Sequence, residues 1–343
     1  MKRYFLAYIS LLMLLVTACK KIDVTGDERT SDIRTIGDFI HNNYDLSLLS
    51  AALQQTALLD SLNAAGPFTI WAPDNKAFNN IGIYKADDFS RLNKDSLRTA
   101  LKNLLLPERI YTSVIPTQLD NRYTCLGGMS SYISVGMIGA NADAFPTAFN
   151  GSMVYDAGKR NLAMKNGVIH LLKAVPKYIA QNTQELLAAD TTLSIFVALL
   201  KKTNQWDALK TAGPFTVYAP VNDAFRNYQL TPDSIARIDL SRYKPLAFTV
   251  YTLGLKPHHI LMSDLLVTGA SSARIDLGDG YAINPNPYGG FNVYAPPGAK
   301  WNYHSPGGTT IADGAKGQDI MGTNGVVNRI NNILLYPDSL LIK

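Results

Sequence analysis

The sequence predicts an α+β protein built from two copies of one domain. Three observations predict this: a segment of 14 residues recurs 147 positions later, a shorter segment recurs near the end of each copy, and each copy passes from helical to strand patterns. A period near 150 residues has the size of a whole domain and is too long for a solenoid. Helices mixed with antiparallel strands, without regular alternation of the two, favour the α+β class.

The recurring segments divide the chain into tandem domains. Residues 65–78 return as residues 212–225, and residues 166–169 return as residues 324–327. Because both segments occur in the same order twice, we expect domain 1 to span residues 35–180 and domain 2 to span residues 183–343.

The first recurring segment predicts a buried strand between helices. Leucines at helical spacing precede it, and the β-prone run 68–72 reads as a strand buried on both faces. Pro73 ends that run, and Asp74 or Asn75 is expected to cap a short helix, with Asn222 as the cap in the second copy. The second recurring segment contains Asn-Gly between β-prone runs, which predicts a hairpin.

Together these two blocks resemble the fasciclin (FAS1) domain. The pattern Gly-Pro-Phe-Thr-hydrophobic-aromatic-Ala-Pro-x-Asn-x-Ala-Phe stands at residues 66–78 and 213–225, and Asn-Gly-hydrophobic-hydrophobic follows about a hundred residues later in each copy. The resemblance implies two tandem FAS1-like domains, each a β-wedge or sandwich with packed helices. It also implies a surface-attached adhesion or binding role rather than an enzymatic one.

Two departures from the family pattern limit what can be transferred. The middle of each copy lacks the family's Tyr-His pair, so adhesion roles that animal members assign to that segment are not carried over. The closing block has His170 in the first copy and Asn328 in the second. A histidine that asparagine replaces is expected to make a structural hydrogen bond.

The N-terminus has the pattern of an exported lipoprotein. Lys2 and Arg3 precede an apolar run at residues 4–16 and small residues directly before Cys19, which predicts a signal peptide at residues 1–18. The alternative is a short anchor helix that stays uncleaved. Residues 16–19 resemble a bacterial lipobox, which implies a lipid on Cys19, a tether at residues 19–34 and an outer-membrane location, periplasmic or surface-exposed.

Composition excludes several functional classes. The formal net charge of +5 is dispersed, so we predict no nucleic-acid partner. Apart from Cys19 the chain has one cysteine, Cys125, which is expected to be a buried apolar residue. No HExxH, CxxC or GxSxG motif occurs, and we predict no metal, cofactor or catalytic residue.

A longer segment in domain 2 is the predicted binding surface. Between equivalent glycines and the closing Asn-Gly, the second copy has 17 more residues than the first, within residues 279–318. Long loops on a rigid scaffold often carry function, and aromatic rings suit protein or glycan partners. The predicted ligand-binding side chains are Tyr281, Tyr288, Phe291, Tyr294, Trp301 and Tyr303. The alternative is that these rings pack back onto the domain.

The sequence favours an anchored module that binds an extracellular protein or a glycan. One alternative is an accessory or spacer lipoprotein of an outer-membrane uptake complex. Another is a glycan-degrading enzyme whose two carboxylates face each other between the domains. The oligomeric state and the ligand are not predicted.

Overall fold

The computed structural model describes residues 33–136, 146–156, 158–177, 180–257, 259–267, 274–286, 290–296 and 308–342. Residues 35–343 form one compact unit, in which residues 35–177 are termed repeat 1 and residues 180–342 repeat 2. The predicted signal peptide at residues 1–18 and Cys19 lie outside the described residues.

The helices are short. In repeat 1 they are α1 (Ile36–His41), α2 (Ser47–Gln55), α3 (Asn75–Asn79) and α4 (Lys94–Lys102). In repeat 2 they are α5 (Thr183–Ala189), α6 (Ser194–Lys202), α7 (Asn222–Arg226), α8 (Pro232–Ala236), α9 (Leu246–Thr249) and α10 (Met262–Val267). Short 3₁₀ helices lie at Tyr44–Leu46, Asp60–Asn63, Ala86–Arg91, Thr112–Val114, Thr191–Leu193, Asp207–Lys210, Leu240–Arg242, Val250–Leu255, Gly314–Lys316 and Pro337–Leu340.

The strands of the described residues form two sheets in each repeat. Repeat 1 contains β1 (Phe68–Pro73), β2 (Leu105–Leu106), β3 (Asn121–Thr124), β4 (Ser130–Val135), β5 (Thr147–Phe149), β6 (Ser152–Met153), β7 (Leu162–Met164) and β8 (Gly167–Leu172). Repeat 2 contains β9 (Phe215–Pro220), β10 (Ile275–Gly278), β11 (Tyr281–Pro285), β12 (Gly290–Tyr294), β13 (Thr309–Thr310), β14 (Ile320–Met321) and β15 (Gly325–Ile330). The sheet orders are β2-β1-β8-β7 and β3-β4-β5-β6, then β14-β15-β9 and β10-β11-β12-β13.

The two recurring segments pair with each other in both repeats. β1 runs parallel to β8 with Phe68 opposite Gly167, and β9 runs parallel to β15 with Phe215 opposite Gly325. β1 is buried from its second residue and β9 throughout, as expected for strands covered on both faces. The structure therefore confirms two α+β units built on one plan.

The predicted closing hairpin is present, although its turn is shifted by one residue. β7 and β8 pair antiparallel with Met164 opposite Gly167. The two-residue turn is therefore Lys165-Asn166, and Gly167 is the first residue of β8. In repeat 2 the corresponding hairpin joins β14 to β15, with Met321 opposite Val326.

The turn asparagine holds three distant parts of repeat 1 together. Asn166 Oδ1 accepts a hydrogen bond from the backbone N–H of Ile36 at 2.9 Å. Its Nδ2 donates to the carbonyl oxygens of Leu62 and Ala64, both at 2.7 Å. Asn324 makes the equivalent bonds in repeat 2, accepting from Thr183 N and donating to Leu209 O and Thr211 O.

One of the predicted helix caps is wrong. Asp74 caps α3 by accepting from Ala77 N, but Asn222 does not cap α7. Its Oδ1 instead accepts from Ile195 N at 2.9 Å and its Nδ2 donates to Thr191 O at 3.0 Å. Asn222 is the first residue of α7 and not the residue before it. Its side chain therefore bonds to the start of α6 instead of capping its own helix.

Within the part of the chain that the structure describes, no single helix has the length and apolar composition needed to cross a membrane. A bent pair, Thr183–Ala189 with Thr191–Lys202, meets those criteria only when its two helices are taken together.

Candidate functional site

Two of the predicted ligand-binding aromatics belong to the core. Tyr281 and Phe291 are 4% and 2% exposed, and the Phe291 ring meets the Tyr218 ring edge-on at 4.8 Å between centroids. In repeat 1 the same place holds Trp71 stacked on Phe149, also at 4.8 Å. The prediction is therefore corrected for these two residues: their rings fill the core and are not available to a ligand.

Tyr294 is the predicted aromatic that reaches the surface among the described residues. Along β12, Phe291 and Val293 point into the core, while Asn292 and Tyr294 point outward, because successive side chains alternate across a strand. The Tyr294 side chain is 38% exposed, and the guanidinium of Arg274 lies 5.7 Å from its ring centroid. Together they present an aromatic face and a cation at one end of β12.

The remaining predicted aromatics are Tyr288, Trp301 and Tyr303, which lie outside the described residues. Tyr288 belongs to the connection from β11 to β12, whose ends meet where Asn286 N donates to Gly290 O at 2.8 Å. Trp301 and Tyr303 belong to the connection that leaves β12 after Tyr294. Of the predicted residues that the structure describes, Tyr281 and Phe291 lie in the core and Tyr294 lies at the surface.

The His170 ring is a structural part of the repeat 1 core. It is fully buried, stacks on Trp71 at 4.4 Å, and places Nε2 2.9 Å from the carbonyl oxygen of Ile110. Its Nδ1 accepts from Asn161 N at 3.2 Å. Burial lowers the pKa of His170 to about 4, so the ring is neutral at physiological pH. Asn328 takes the equivalent role by accepting from Asp319 N at 2.8 Å.

A polar network joins the two repeats. From repeat 1, the Ser134 hydroxyl donates to Asp264 Oδ1 at 2.6 Å, and Asp120 Oδ1 lies 3.2 Å from His259 Nδ1. The Tyr132 ring stacks on His259 with centroids 3.8 Å apart. These contacts connect β4 and the residue before β3 to α10 and the segment leading into it, and we refer to them as the junction.

Two buried carboxyl groups of repeat 2 lie at the junction. Asp264 Oδ2 accepts from Leu261 N at 2.9 Å, and Asp319 Oδ1 accepts from Met262 N at 2.8 Å. Burial, with Asp120 nearby, raises the pKa of Asp264 to about 7. Burial also raises the pKa of Asp319 to about 6.

The junction carboxyls were missed by the sequence analysis, although one signal was present. Asp264 is the sole charged residue in the otherwise apolar and small run 260–267. A carboxyl at the core-facing position of such a run must find hydrogen-bond donors, and here they come from the backbone and from the other repeat. Sequence alone does not reveal that Ser134, 130 residues earlier, is that donor.

The junction does not have the geometry of a glycosidase site. Such a site needs two carboxyls flanking an open cleft that admits a sugar. Asp264 is 1% exposed and Asp319 is 6% exposed, and both carboxyls accept backbone hydrogen bonds. A cavity of about 190 Å³ beside Asp319 is smaller than a typical ligand pocket. Across the described residues, no group of three or more His, Cys, Asp or Glu side chains could hold a metal ion.

The fold and its contacts define a tandem α+β scaffold whose ionisable core groups serve its own packing. The sequence matches the Fasciclin domain family over residues 44–175 and 191–245, which is more than half of the chain. The protein therefore belongs to the Fasciclin domain family.

Two curated relatives and one solved structure are similar to the chain. Human periostin is 27% identical over 201 residues, which cover 58% of this chain and 22% of periostin. Pig transforming growth factor-beta-induced protein ig-h3 is 22% identical over 296 residues, which cover 82% of this chain and 36% of the relative. The FAS1 domain pair of the insect cell adhesion molecule fasciclin I has 17% identity, covers 86% of this chain and 97% of that chain, and gives a TM-score of 0.35. The chain thus spans well under half the length of these curated relatives.

Proposed function

We propose that the chain is a non-catalytic adhesion or binding module that recognises an extracellular protein or a glycan. Membership of the Fasciclin domain family carries this proposal, because the resemblance of both blocks implies surface-attached adhesion domains. The use of the buried carboxyls as hydrogen-bond acceptors within the junction supports a non-catalytic role.

The proposed contact region is the outer end of β12 in repeat 2. Tyr294 and Arg274 present an exposed ring and a cation there, and the connection holding Trp301 and Tyr303 begins directly after this strand. Aromatic rings and arginine are the side chains that contribute most to protein interfaces. Tyr294 would then be one of several contacts rather than a complete site.

The contact region is tested by a protein pull-down and a glycan-array screen with the chain and with its Trp301→Ala/Tyr303→Ala variant. We expect the double variant to lose binding by at least about tenfold, since truncation of a central aromatic contact costs on the order of 2 kcal/mol. Tyr84→Ala, which truncates an exposed tyrosine of repeat 1, is the control. Unchanged binding by the double variant would exclude this region.

The proposed location is the outer membrane, through a lipid on Cys19. We expect Cys19→Ser to move the protein from the membrane fraction to the soluble fraction, because the variant lacks the residue that carries the acyl chains needed for stable anchoring. Cys125→Ser is the control, since that thiol is buried in the repeat 1 core. If Cys19→Ser protein stays with the membrane, the lipid anchor is wrong and an uncleaved anchor helix is the better explanation.

A further inference from the structure

Repeat 2 contains a cavity whose lining does not include Tyr294 or Arg274 of the proposed contact region, and no role has been given to it above. It measures about 350 Å³, within the range of small-molecule sites. It lies among α6, α7, α8, α9 and the C-terminal 3₁₀ helix. Its lining consists of residues from these elements and the segments between them, and includes Ile238 and Asp338.

The cavity has an apolar floor and aromatic walls. Its deepest residues are buried members of the repeat 2 core, among them Phe225, Phe248 and Tyr251. Three half-buried tyrosines complete the wall towards solvent, and they are Tyr228, Tyr243 and Tyr336. Six aromatic side chains therefore surround a space of this size.

Contacts within the wall hold these rings in place. Tyr228 meets Tyr336 edge-on at 5.6 Å, and Tyr243 meets Phe248 edge-on at the same distance. The Tyr228 hydroxyl donates to Asn332 Oδ1 at 3.0 Å. Burial raises the pKa of Tyr228, so its phenol stays neutral at physiological pH. The cavity is thus preformed, which lowers the entropic cost of binding.

The charge of the lining favours one class of ligand. Among the lining residues, Asp338 contributes a carboxylate, and none is a lysine, arginine or histidine. The faces of aromatic rings carry negative charge density and attract cations. An anionic ligand would meet a carboxylate without a compensating cation, whereas an ammonium ion would meet both the rings and Asp338.

We propose that this cavity binds a small organic ammonium ion whose apolar body is about the size of one aromatic ring and a short alkyl chain. The body packs against the floor and the ammonium lies near the wall tyrosines and Asp338. This binding is separate from the adhesive role proposed above and does not depend on it.

The corresponding part of repeat 1 differs from this cavity in two ways. Ile81 stands three residues after Phe78, where Tyr228 follows Phe225. In addition, Phe89 packs edge-on against Phe78 at 5.5 Å. Repeat 1 therefore has an isoleucine in place of one wall tyrosine, and Phe89 packs against the phenylalanine that corresponds to Phe225.

The proposal is tested on the full chain with three matched probes: 4-phenylbutylamine, 4-phenylbutan-1-ol and 4-phenylbutanoate. Their affinities are measured by ligand-observed NMR titration at low and at 0.5 M salt. We expect the amine to bind about fivefold more tightly than the alcohol, with the carboxylate weakest. The advantage of the amine should shrink at about 0.5 M salt, because Asp338 is exposed.

Substitutions in the lining test whether the amine probe binds in this cavity. We expect Ile238→Trp to block the cavity and abolish saturable binding of the amine. Asp338→Asn should weaken the amine about two- to fivefold and leave the alcohol unchanged. Asp233→Asn, an exposed carboxylate of α8 outside the lining, is the control and should change neither. Because both aspartates are exposed, these two variants are expected to fold normally.

Any of four results would overturn the proposal. The first is saturable binding of no probe, and the second is binding of the carboxylate as tightly as the amine. The third is amine binding that survives Ile238→Trp. A fourth probe, Nα-acetyl-lysine methylamide, has an ammonium but no ring. If it binds more tightly than the arylalkyl amine, the site recognises a protein side chain and the assignment to a free small molecule is wrong.

Discussion

A single asparagine side chain sets the geometry at the start of each repeat. Asn166 accepts from one backbone N–H and donates to two backbone carbonyls, and Asn324 repeats this pattern. Asparagine suits the position because its short amide carries a donor group and an acceptor atom that point in opposite directions. Aspartate has the same shape but lacks the donor, and glutamine is longer by one methylene.

We expect Asn166→Asp to destabilise the protein by roughly 2–4 kcal/mol, because the carbonyls of Leu62, which is buried, and Ala64 lose their donor and face a carboxylate instead. The free energy of unfolding is measured by urea denaturation. Lys165→Ala, in the same turn but with an exposed side chain, is the control and should stay within about 0.5 kcal/mol of the parent chain. A loss below about 1 kcal/mol for Asn166→Asp would show that the three bonds do not act as a clamp.

At the scale of elements, the glycine after that asparagine is explained by strand pairing. The Asn-Gly pattern predicts a turn, yet Gly167 is the first residue of β8. A Cβ at this position would lie 2.6 Å from Ile36 Cδ1 and would also meet the carbonyl oxygen of Phe68. The glycine is therefore needed for the close approach of β8 to β1.

Accordingly, Gly167→Ala should push β8 away from β1 and lower the free energy of unfolding by about 1–3 kcal/mol, the usual cost of overpacking a core. Thermal unfolding followed by circular dichroism gives the change. Combining it with Ile36→Ala should cost less than the sum of the two single changes, because the shortened side chain no longer meets the new methyl group, although the contact with the Phe68 carbonyl remains. A fully additive double variant would contradict this explanation.

Local sequence patterns predicted which segments form strands and hairpins better than they predicted which strands pair with each other. The strand ending at Pro73 and the hairpin containing Asn166 follow from β-propensity and turn chemistry over a few residues. The parallel pairing of β1 with β8 joins residues about a hundred positions apart, and no local pattern encodes it. Tyr281 and Phe291 were assigned to a surface because glycines and prolines surround them, although Phe291 and Val293 already show the alternation of a half-buried strand.

At the scale of the whole molecule, the junction makes stability depend on pH. The pKa of Asp264 is about 7 in the folded protein, above its unfolded value near 4. The folded state therefore holds more protons between these values, and stability falls as pH rises from about 4 to about 7. Within the network, Asp264 faces Ser134, Asp120 and Asp319.

For this reason the free energy of unfolding of Asp264→Asn should increase relative to that of the parent chain as pH rises. Between pH 5 and pH 8 the difference in unfolding free energy should move in favour of the variant by on the order of 2 kcal/mol, since an amide does not ionise. Urea denaturation at several pH values measures it, with Asp233→Asn as an exposed control. A difference that is independent of pH would mean that Asp264 does not titrate in this range.

The parallel pairing of β1 with β8 also determines when repeat 1 can close as the chain emerges N-terminus first from a ribosome or a translocation channel. β8 ends 99 residues after β1 ends. Until Leu172 has emerged, the Phe68–Pro73 segment lacks its parallel neighbour and exposes apolar side chains. Closure of each repeat thus waits for its last long strand, and a chain truncated before that strand would be an open, aggregation-prone fragment.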